Sequence, residues 1–235
     1  MDRFEWIATA AFGLEGLVAR ELARLGIEAK AENGGARFFG SFEDAFRANL
    51  HARCADRILL VMGRFEARSF EALFEGVRAL PWENFIGEHT RFPVNGKCAR
   101  SQLMSVRDCQ AITKKAIVER LRGRYRTDWF VEDAETVSID VALHGDVAQL
   151  TLDASGTALN RRGYRTWNGE APLRETLAAA LVSLCPWRPG MPLHDPMCGT
   201  GTLMIEAAMR MAHRAPGLTR EIGRASCRER VYRLV

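Results

Sequence analysis

Hydrophobic positions in the first 80 residues change period several times, between the alternation of strands and the three-to-four spacing of helices. Leu14, Leu17 and Leu22, for example, recur at helical spacing, and Gly26 ends their segment. Strands are predicted over Phe4–Thr9, Ile27–Ala31, Arg37–Phe39 and Ile58–Phe65, and helices over Gly13–Leu25, from a cap at Ser41 to Leu50, and from a cap at Ser69 to Leu80. This succession predicts a compact α/β arrangement.

The middle of the chain combines a long amphipathic helix with a clear hairpin. Arg91–Val94 is strand-like, and Asn95-Gly96 predicts a turn. Ser105–Arg122 predicts a helix whose apolar residues share one arc, while basic residues dominate the opposite arc. Residues 137–152 alternate, turn at Gly145 and alternate again, which predicts two antiparallel strands.

The last third of the chain begins with a segment of little periodicity. Ser155–Gly169 is rich in Gly, Asn and Arg and predicts a linker. Helices are predicted over Leu173–Leu184 and Leu203–Met211, and a short strand over Met191–His194. A strand, a glycine-containing turn and a helix in that order are the opening unit of a doubly wound domain.

Positive charge is concentrated in one segment. The 235 residues carry a formal net charge of +4, but residues 91–126 contain ten Lys or Arg and only two acidic residues. A local excess of this kind is the electrostatic footprint of a nucleic-acid surface. A solvated charged face produces the same excess, so charge alone leaves both interpretations open.

Signals for export, membrane insertion and metal binding are missing from the sequence. No apolar run reaches the roughly 18–20 residues that span a bilayer, and Met1-Asp2-Arg3-Phe4-Glu5 lacks the pattern of a secretory signal. The six cysteines form no C-x-x-C pair, which argues against a zinc cluster or a redox pair. We therefore expect a cytoplasmic protein that binds no metal and keeps its cysteines reduced.

The segment Asp195-Pro196-Met197-Cys198-Gly199-Thr200-Gly201-Thr202 carries the clearest chemistry. Glycines let the backbone approach a ligand, and the amides that open the next helix offer donors to an anionic or polar group. A P-loop requires Lys where this chain has Thr202, and a dinucleotide fingerprint requires Gly where it has Met204. The remaining pattern, D-x-x-C-G-x-G-T, resembles the first motif of class I S-adenosylmethionine methyltransferases.

Longer stretches make this resemblance more specific. They are Gly13-Leu14-Glu15, Arg161-Arg162-Gly163-Tyr164-Arg165, residues 171–180, residues 195–208 and Arg214-Ala215-Pro216-Gly217-Leu218. With them, residues 1–220 resemble the N-terminal part of bacterial large-subunit ribosomal RNA guanine-N2 methyltransferases that carry a THUMP domain. The resemblance implies an α/β protein with a ferredoxin-like subdomain (1–50), a THUMP RNA-binding domain (51–155), a linker (156–170) and the start of a Rossmann-like methyltransferase domain (171–220).

The resemblance also implies that the cofactor is S-adenosylmethionine. The cofactor-binding residues that it indicates are Arg174, Glu175, Thr176, Asp195, Pro196, Cys198, Gly199, Thr200, Gly201 and Thr202. A helix-start Thr beside an Arg suits a carboxylate, because charge-assisted hydrogen bonds are strong. Helix-cap electrostatics would also explain Arg174 and Glu175.

The implied macromolecular partner is large-subunit ribosomal RNA. The candidate RNA contacts are Lys97, Arg100, Ser101, Ser105, Arg107, Lys114 and Lys115 in the THUMP-like region, and Arg161, Arg162 and Arg165 in the predicted linker. Cations and hydroxyls suit phosphate and 2′-hydroxyl contacts, which position an RNA without reading its bases.

Two features separate this chain from the complete family pattern. The Asn-Pro-Pro-Tyr motif that the family uses for catalysis is absent, so the sequence assigns no catalytic residue. Residues 221–235 resemble read-through of a sequencing adapter, and we expect a non-native tail on a chain cut short near residue 220. The prediction is therefore a catalytically incomplete, RNA-binding part of the enzyme, with a stand-alone RNA-binding module or a DNA adenine-N6 methylase as alternatives.

Overall fold

The computed structural model describes residues 3–127, 130–165, 172–188 and 190–220. They fall into two compact units. The first unit combines the chain up to Ile58 with the residues from Thr157 onward, and the second unit is Leu59–Gly156. The expected non-native tail, residues 221–235, lies outside the described residues.

Strands and helices alternate along most of the described chain. The strands are β1 (Phe4–Thr9), β2 (Ala29–Glu32), β3 (Gly35–Gly40), β4 (Arg57–Glu66), β5 (Val94–Ala99), β6 (Ile139–His144) and β7 (Val147–Asp153). The helices are α1 (Glu15–Arg24), α2 (Phe42–His51), α3 (Phe70–Arg78), α4 (Val106–Tyr125), α5 (Glu175–Leu184) and α6 (Thr202–Met211), and Trp82–Asn84 forms a 3₁₀ turn. This succession confirms the predicted α/β class.

The first unit is built on the antiparallel strands β2, β3 and β1, in that order. Trp6 on β1 is fully buried, and its indole nitrogen donates to the Gly40 carbonyl at 3.1 Å. Ser41 caps α2, because its hydroxyl accepts from the Asp44 amide and the Asp44 carboxylate accepts from the Ser41 amide. The cap predicted at Ser41 is thereby confirmed.

Residues after Thr157 are an integral part of the first unit. Helices α5 and α6 contact each other, and both bury small residues, such as Ala178 on α5 and Ala207 on α6. The Gly217 amide donates to the Leu50 carbonyl at 2.9 Å, so the segment after α6 hydrogen-bonds to the amino-terminal part of the same unit. The described residues 157–165 of the predicted linker therefore belong to a packed structure.

The second unit has the strand order β4-β7-β6-β5. Strands β5 and β6 are parallel, and the other neighbours are antiparallel, with the β6–β7 hairpin as predicted. Helix α4 contacts α3 and β5. The predicted apolar arc of α4 is buried at Cys109, Ala116, Ile117 and Leu121, and Thr113, which the pattern did not single out, is buried with them.

Two predictions of local structure are wrong. Residues 95–96 do not turn the chain, because they lie inside β5. Gly96 fits there because α4 passes close to the strand, and a Cβ at this position would lie 2.9 Å from Cγ of Gln110. Residues 191–194 do not form a strand. A parallel strand needs hydrogen-bonded neighbours, and among the described strands none pairs with this segment.

One pair of cysteines meets only in the folded chain. The Cys98 thiol on β5 donates to the sulfur of Cys109 on α4 at a distance of 3.7 Å. Burial raises the pKa of Cys109 to about 12, so this thiol stays protonated at neutral pH. The eleven-residue separation hides the pair from any search for C-x-x-C spacing.

Candidate functional site

The glycine turn, which we define as residues 195–202, leads directly into α6. Gly199 and Gly201 have φ angles of +52° and +72°, in the left-handed region that favours glycine. Among the described atoms, none lies within 4 Å of a Cβ placed on either glycine. Gly201 also caps α6, so the first amides of that helix open onto the turn. This geometry leaves the backbone of the turn accessible to a ligand.

Arg165 connects the glycine turn to the first turn of α5. Its Nε donates to Oε1 of Glu175 at 2.8 Å. Nη2 donates to the Leu173 carbonyl and to Oγ1 of Thr202, both at 3.1 Å, and Nη1 donates to Oγ1 of Thr200 at 3.3 Å. Glu175 and Thr202 are buried, and the Arg165 side chain is 16% exposed. The sequence predicted Arg165 as an RNA contact, whereas the structure points its guanidinium at two segments predicted to bind the cofactor.

The other predicted cofactor residues on α5 contact Asp56. The Thr176 hydroxyl donates to Oδ1 of Asp56 at 2.7 Å, and Thr176 is buried. Arg174 lies with Nη1 3.6 Å from Oδ2 of the same carboxylate, but its side chain is 63% exposed. Arg174 is therefore accessible to an anionic ligand, whereas the hydroxyl hydrogen of Thr176 is used inside the unit.

The remaining residues of the glycine turn are mostly at the surface. Pro196 and Cys198 are exposed, and Asp195 is half-buried. The Asp195 carboxylate accepts a hydrogen bond from the Met197 amide at 3.1 Å, which folds the start of the turn onto itself. Among the described residues, the Cys198 thiol contacts the Gly199 carbonyl at 3.9 Å and has no histidine ring as a partner. Its sulfur therefore contributes shape to the turn.

A cavity of about 600 Å³ lies beside Arg165, within the size range of small-molecule pockets. Its lining residues are Asn160, Arg161, Arg162, Gly163, Arg165, Pro172, Leu173, Arg174 and Glu175. The lining carries four arginines and one carboxylate, so it suits an anionic or zwitterionic group. The cavity thus brings the arginine-rich segment and the start of α5 together, and the glycine turn does not line it.

Arg162 lies in a buried ionic cluster. Its side chain is 1% exposed, and its Nε lies 3.4 Å from Oε1 of Glu206. Its other nitrogens donate to the carbonyls of Leu159 at 2.6 Å and Arg53 at 2.5 Å. Tyr164 donates to the same Glu206 oxygen at 3.1 Å, and burial raises the pKa of this tyrosine. The prediction that Arg162 contacts RNA is therefore wrong, because its guanidinium is enclosed and hydrogen-bonded inside the first unit.

Burial also dominates the electrostatics of the residues next to this cluster. Glu21 accepts hydrogen bonds from the amides of Arg53 and Cys54 at 2.9 and 3.0 Å, yet burial raises the pKa of its carboxyl. Burial lowers the pKa of Arg53 and, with the nearby Glu21, raises that of Cys54 to about 12. Cys54 is therefore a protonated thiol at neutral pH, not a nucleophile.

The predicted RNA contacts of the second unit lie on β5, on α4 and on the loop between them. Lys97, Arg100, Arg107 and Lys115 are exposed. Lys114 forms an ion pair with Glu132 at 2.8 Å, and the hydroxyls of Ser101 and Ser105 accept hydrogen bonds from the amides of Asp146 and Asp108. The two serines thus serve the local backbone, while each of the four exposed cations is accessible to a phosphate. In the first unit, Arg161 is exposed as well.

Sequence reasoning missed Asp56 and Glu206, the acidic partners of the two clusters. Glu206 stands between Ile205 and Ala207 in an apolar helix, and it is 1% exposed. A lone carboxylate on the buried face of a helix is seldom stable without a partner. That signal was available in the sequence, but the identity of the partner was not.

Neither a membrane segment nor a metal centre is found in the described part of the chain. Its helices are too short or too polar to cross a bilayer. Its His, Cys, Asp and Glu side chains form no group of three or more that is suited to hold a metal ion.

Three domain families match consecutive parts of the chain. The RlmL ferredoxin-like domain matches residues 5–59, the THUMP domain matches residues 67–153, and the RMKL-like methyltransferase domain matches residues 162–232. The last match thus extends into residues 221–235.

Two curated relatives are similar over most of the chain. The putative RNA methyltransferase YpsC of Bacillus subtilis is 47% identical over 94% of this chain. The ribosomal RNA large subunit methyltransferase K/L of Photobacterium profundum is 38% identical over 92% of this chain. The chain spans 58% of the first relative and 31% of the second.

Two solved structures have a similar fold. A predicted N6-adenine-specific DNA methylase from Listeria monocytogenes superposes with a TM-score of 0.92 and 46% identity, covering 96% of this chain and 60% of that chain. SMU.472, a putative methyltransferase complexed with SAH, superposes with a TM-score of 0.90 and 41% identity, again covering 96% and 60% of the two chains.

Proposed function

We propose that this chain is the RNA-binding part of an S-adenosylmethionine-dependent enzyme that methylates a guanine N2 of large-subunit ribosomal RNA. The chain matches the RlmL ferredoxin-like, THUMP and RMKL-like methyltransferase domains. One observation carries the proposal: a glycine turn with left-handed Gly199 and Gly201 opens α6 in the same chain as a THUMP domain with exposed basic side chains. The name of the Photobacterium relative supports the choice of ribosomal RNA.

RNA binding is assigned to the exposed cations Lys97, Arg100, Arg107 and Lys115, with Arg161 in the first unit. Each cation that neutralises a phosphate releases counterions, so affinity depends steeply on salt. None of these side chains is proposed to read a base, because lysine and arginine on a phosphate backbone position an RNA without specifying its sequence.

The residues at the start of α5 and in the glycine turn fit S-adenosylmethionine in their chemistry. The exposed guanidinium of Arg174 suits the carboxylate of the cofactor's amino-acid group, and the buried Glu175 carboxylate suits a cationic or donor group. The amides at the start of α6 offer further donors. The bound cofactor supplies an activated methyl group on its sulfonium, and the task of these residues is to bind and orient it.

Catalysis itself is not assigned to any residue of this chain, because the Asn-Pro-Pro-Tyr motif is absent. The carboxylate that binds the ribose in such domains is expected about 20 residues after the glycines, a position that falls in the expected non-native tail, residues 221–235. We therefore propose that the chain is catalytically incomplete and binds S-adenosylhomocysteine more weakly than micromolar. Micromolar affinity in isothermal titration would contradict this incompleteness.

Filter binding to a structured ribosomal RNA hairpin and to a DNA duplex of equal length tests the substrate class. We expect tighter binding to the RNA and weaker binding after Arg107→Ala or Lys115→Ala, with the slope of log affinity against log salt reduced by about 0.7–0.9 per lost contact. Arg20→Ala is the matched control, because Arg20 is an exposed cation on α1 with no proposed RNA contact. Preference for the duplex would favour a DNA methylase, the name given to the Listeria structure.

A further inference from the structure

Arg165 hydrogen-bonds to both the start of α5 and the glycine turn. Its guanidinium reaches the first turn of α5 through Glu175 and Leu173, and the glycine turn through Thr200 and Thr202. The planar fork of arginine is suited to several acceptors at fixed angles, which the single ammonium of lysine cannot match. One side chain therefore sets the distance between the two segments proposed to hold the cofactor.

The same hydrogen bonds decide how the two threonine hydroxyls point. Thr200 and Thr202 each accept an N–H from Arg165, so their own hydrogens turn away from the guanidinium. The two oxygens are 3.0 Å apart, so one hydroxyl donates to the other. The second hydroxyl hydrogen is then available for an acceptor on a ligand, such as a carboxylate.

We infer that Arg165 is a positioning residue of the cofactor site: it holds the start of α5 at a fixed distance from the glycine turn and orients the Thr200–Thr202 hydroxyl pair so that its one free hydrogen points to an acceptor on the ligand. The ligand part of this inference rests on the proposed function. The positioning part rests on the contacts of the chain alone. Because Arg165 is used internally, it does not contact RNA, in contrast to Arg161, its exposed neighbour four residues earlier.

Hydrogen exchange of the full chain without ligand tests the positioning. In Arg165→Ala, the amides of residues 173–178 and 200–205 are expected to exchange about tenfold faster or more, because Glu175 and Thr202 lose a charge-assisted partner. Amides of the second unit should not change. Arg161→Ala is the matched control and should leave both segments protected. Arg165→Lys keeps the charge without the fork, so we expect partial rescue. Equal exchange in the wild type and Arg165→Ala would overturn the inference.

A second arm separates this inference from the proposed function. Millimolar S-adenosylhomocysteine is expected to slow exchange at residues 200–205 in the wild type and in Arg161→Ala, but not in Arg165→Ala. Absence of any effect in the wild type would count against cofactor binding by this chain, while the ligand-free comparison still decides the positioning. Slowing of equal size in Arg165→Ala would refute the orientation of the hydroxyls. RNA affinity gives a third readout, since it should fall in Arg161→Ala and stay unchanged in Arg165→Ala.

Discussion

Replacing Arg162 with methionine is expected to destabilise the first unit more than any surface change. The side chain is 1% exposed and neutralises a buried carboxylate on Glu206. One oxygen of Glu206 is contacted by Arg162 and Tyr164, and the other receives no hydrogen bond from the described residues. Arg162→Met keeps an unbranched side chain but removes the guanidinium, so that carboxylate keeps only the Tyr164 hydrogen bond and the charge of nearby Arg53. The perturbation therefore removes the ion-pair partner of a buried carboxylate.

The expected cost follows from the cluster's burial. Removing one partner of a buried ion pair costs about 3–5 kcal/mol, a large share of the roughly 5–15 kcal/mol that stabilise a typical domain. At roughly 3–4 °C per kcal/mol, the melting midpoint should fall by about 10–20 °C. Adding Glu206→Gln to Arg162→Met removes the unpaired charge and should restore about 1–2 kcal/mol, since the two sites are directly coupled.

Urea unfolding followed by circular dichroism, with hydrogen exchange to assign the transition, measures this cost. The affected transition should be that of the first unit, which contains both residues. Arg161→Met is the control, because Arg161 is exposed and such changes stay within about 0.5 kcal/mol. A loss below about 1 kcal/mol in Arg162→Met, or an equal loss in Arg161→Met, would refute the description of the cluster as a stabilising ion pair.

Three further predictions concern single side chains. Burial raises the pKa of Cys54 to about 12, so at pH 8 iodoacetamide should label exposed Cys185 at least 100-fold faster, as peptide mass spectrometry would show. The hydrogen bond from Arg120 lowers the pKa of Glu83. This pair therefore stabilises the second unit fully above about pH 4.3 and loses its contribution as the pH falls through the lowered pKa. Glu83→Gln should make the free energy of unfolding less dependent on pH on the acid side. Ser41→Ala removes the cap of α2 and should cost about 1 kcal/mol in thermal unfolding.

Local features of this chain were predicted well from its sequence. The caps predicted at Ser41 and Ser69 are present, each accepting from a backbone amide three residues further on, and the structure shows a third cap of this kind at Ser105. The β6–β7 hairpin and the apolar arc of α4 also follow the hydrophobic pattern. These signals act between residues fewer than about 15 positions apart, so a window of sequence contains both partners. The family resemblance is confirmed by the three domain matches.

Predictions for the arginine-rich segment fared differently. Arg161, Arg162 and Arg165 look alike in sequence, yet the first is exposed, the second is enclosed and the third bridges two segments of the proposed site. No periodicity distinguishes them, because a segment without regular structure does not fix which side chains face inward. Gly96 is a similar case. The Asn-Gly pair predicts a turn, but in the structure the glycine lies in a strand where α4 packs closely against it.

The amino-acid sequence by itself determined the helices and most of the strands, the glycine turn before α6 and the concentration of positive charge. These are properties of neighbouring residues, decided by spacing, capping and backbone freedom. Only the tertiary structure decided which charged residues are buried and which partners they contact. Arg162 and Glu206 are 44 positions apart, and Thr176 and Asp56 are 120 positions apart. Pairing over such distances depends on how whole elements pack. That packing buries charged residues of a kind usually found at the surface, which then need a partner.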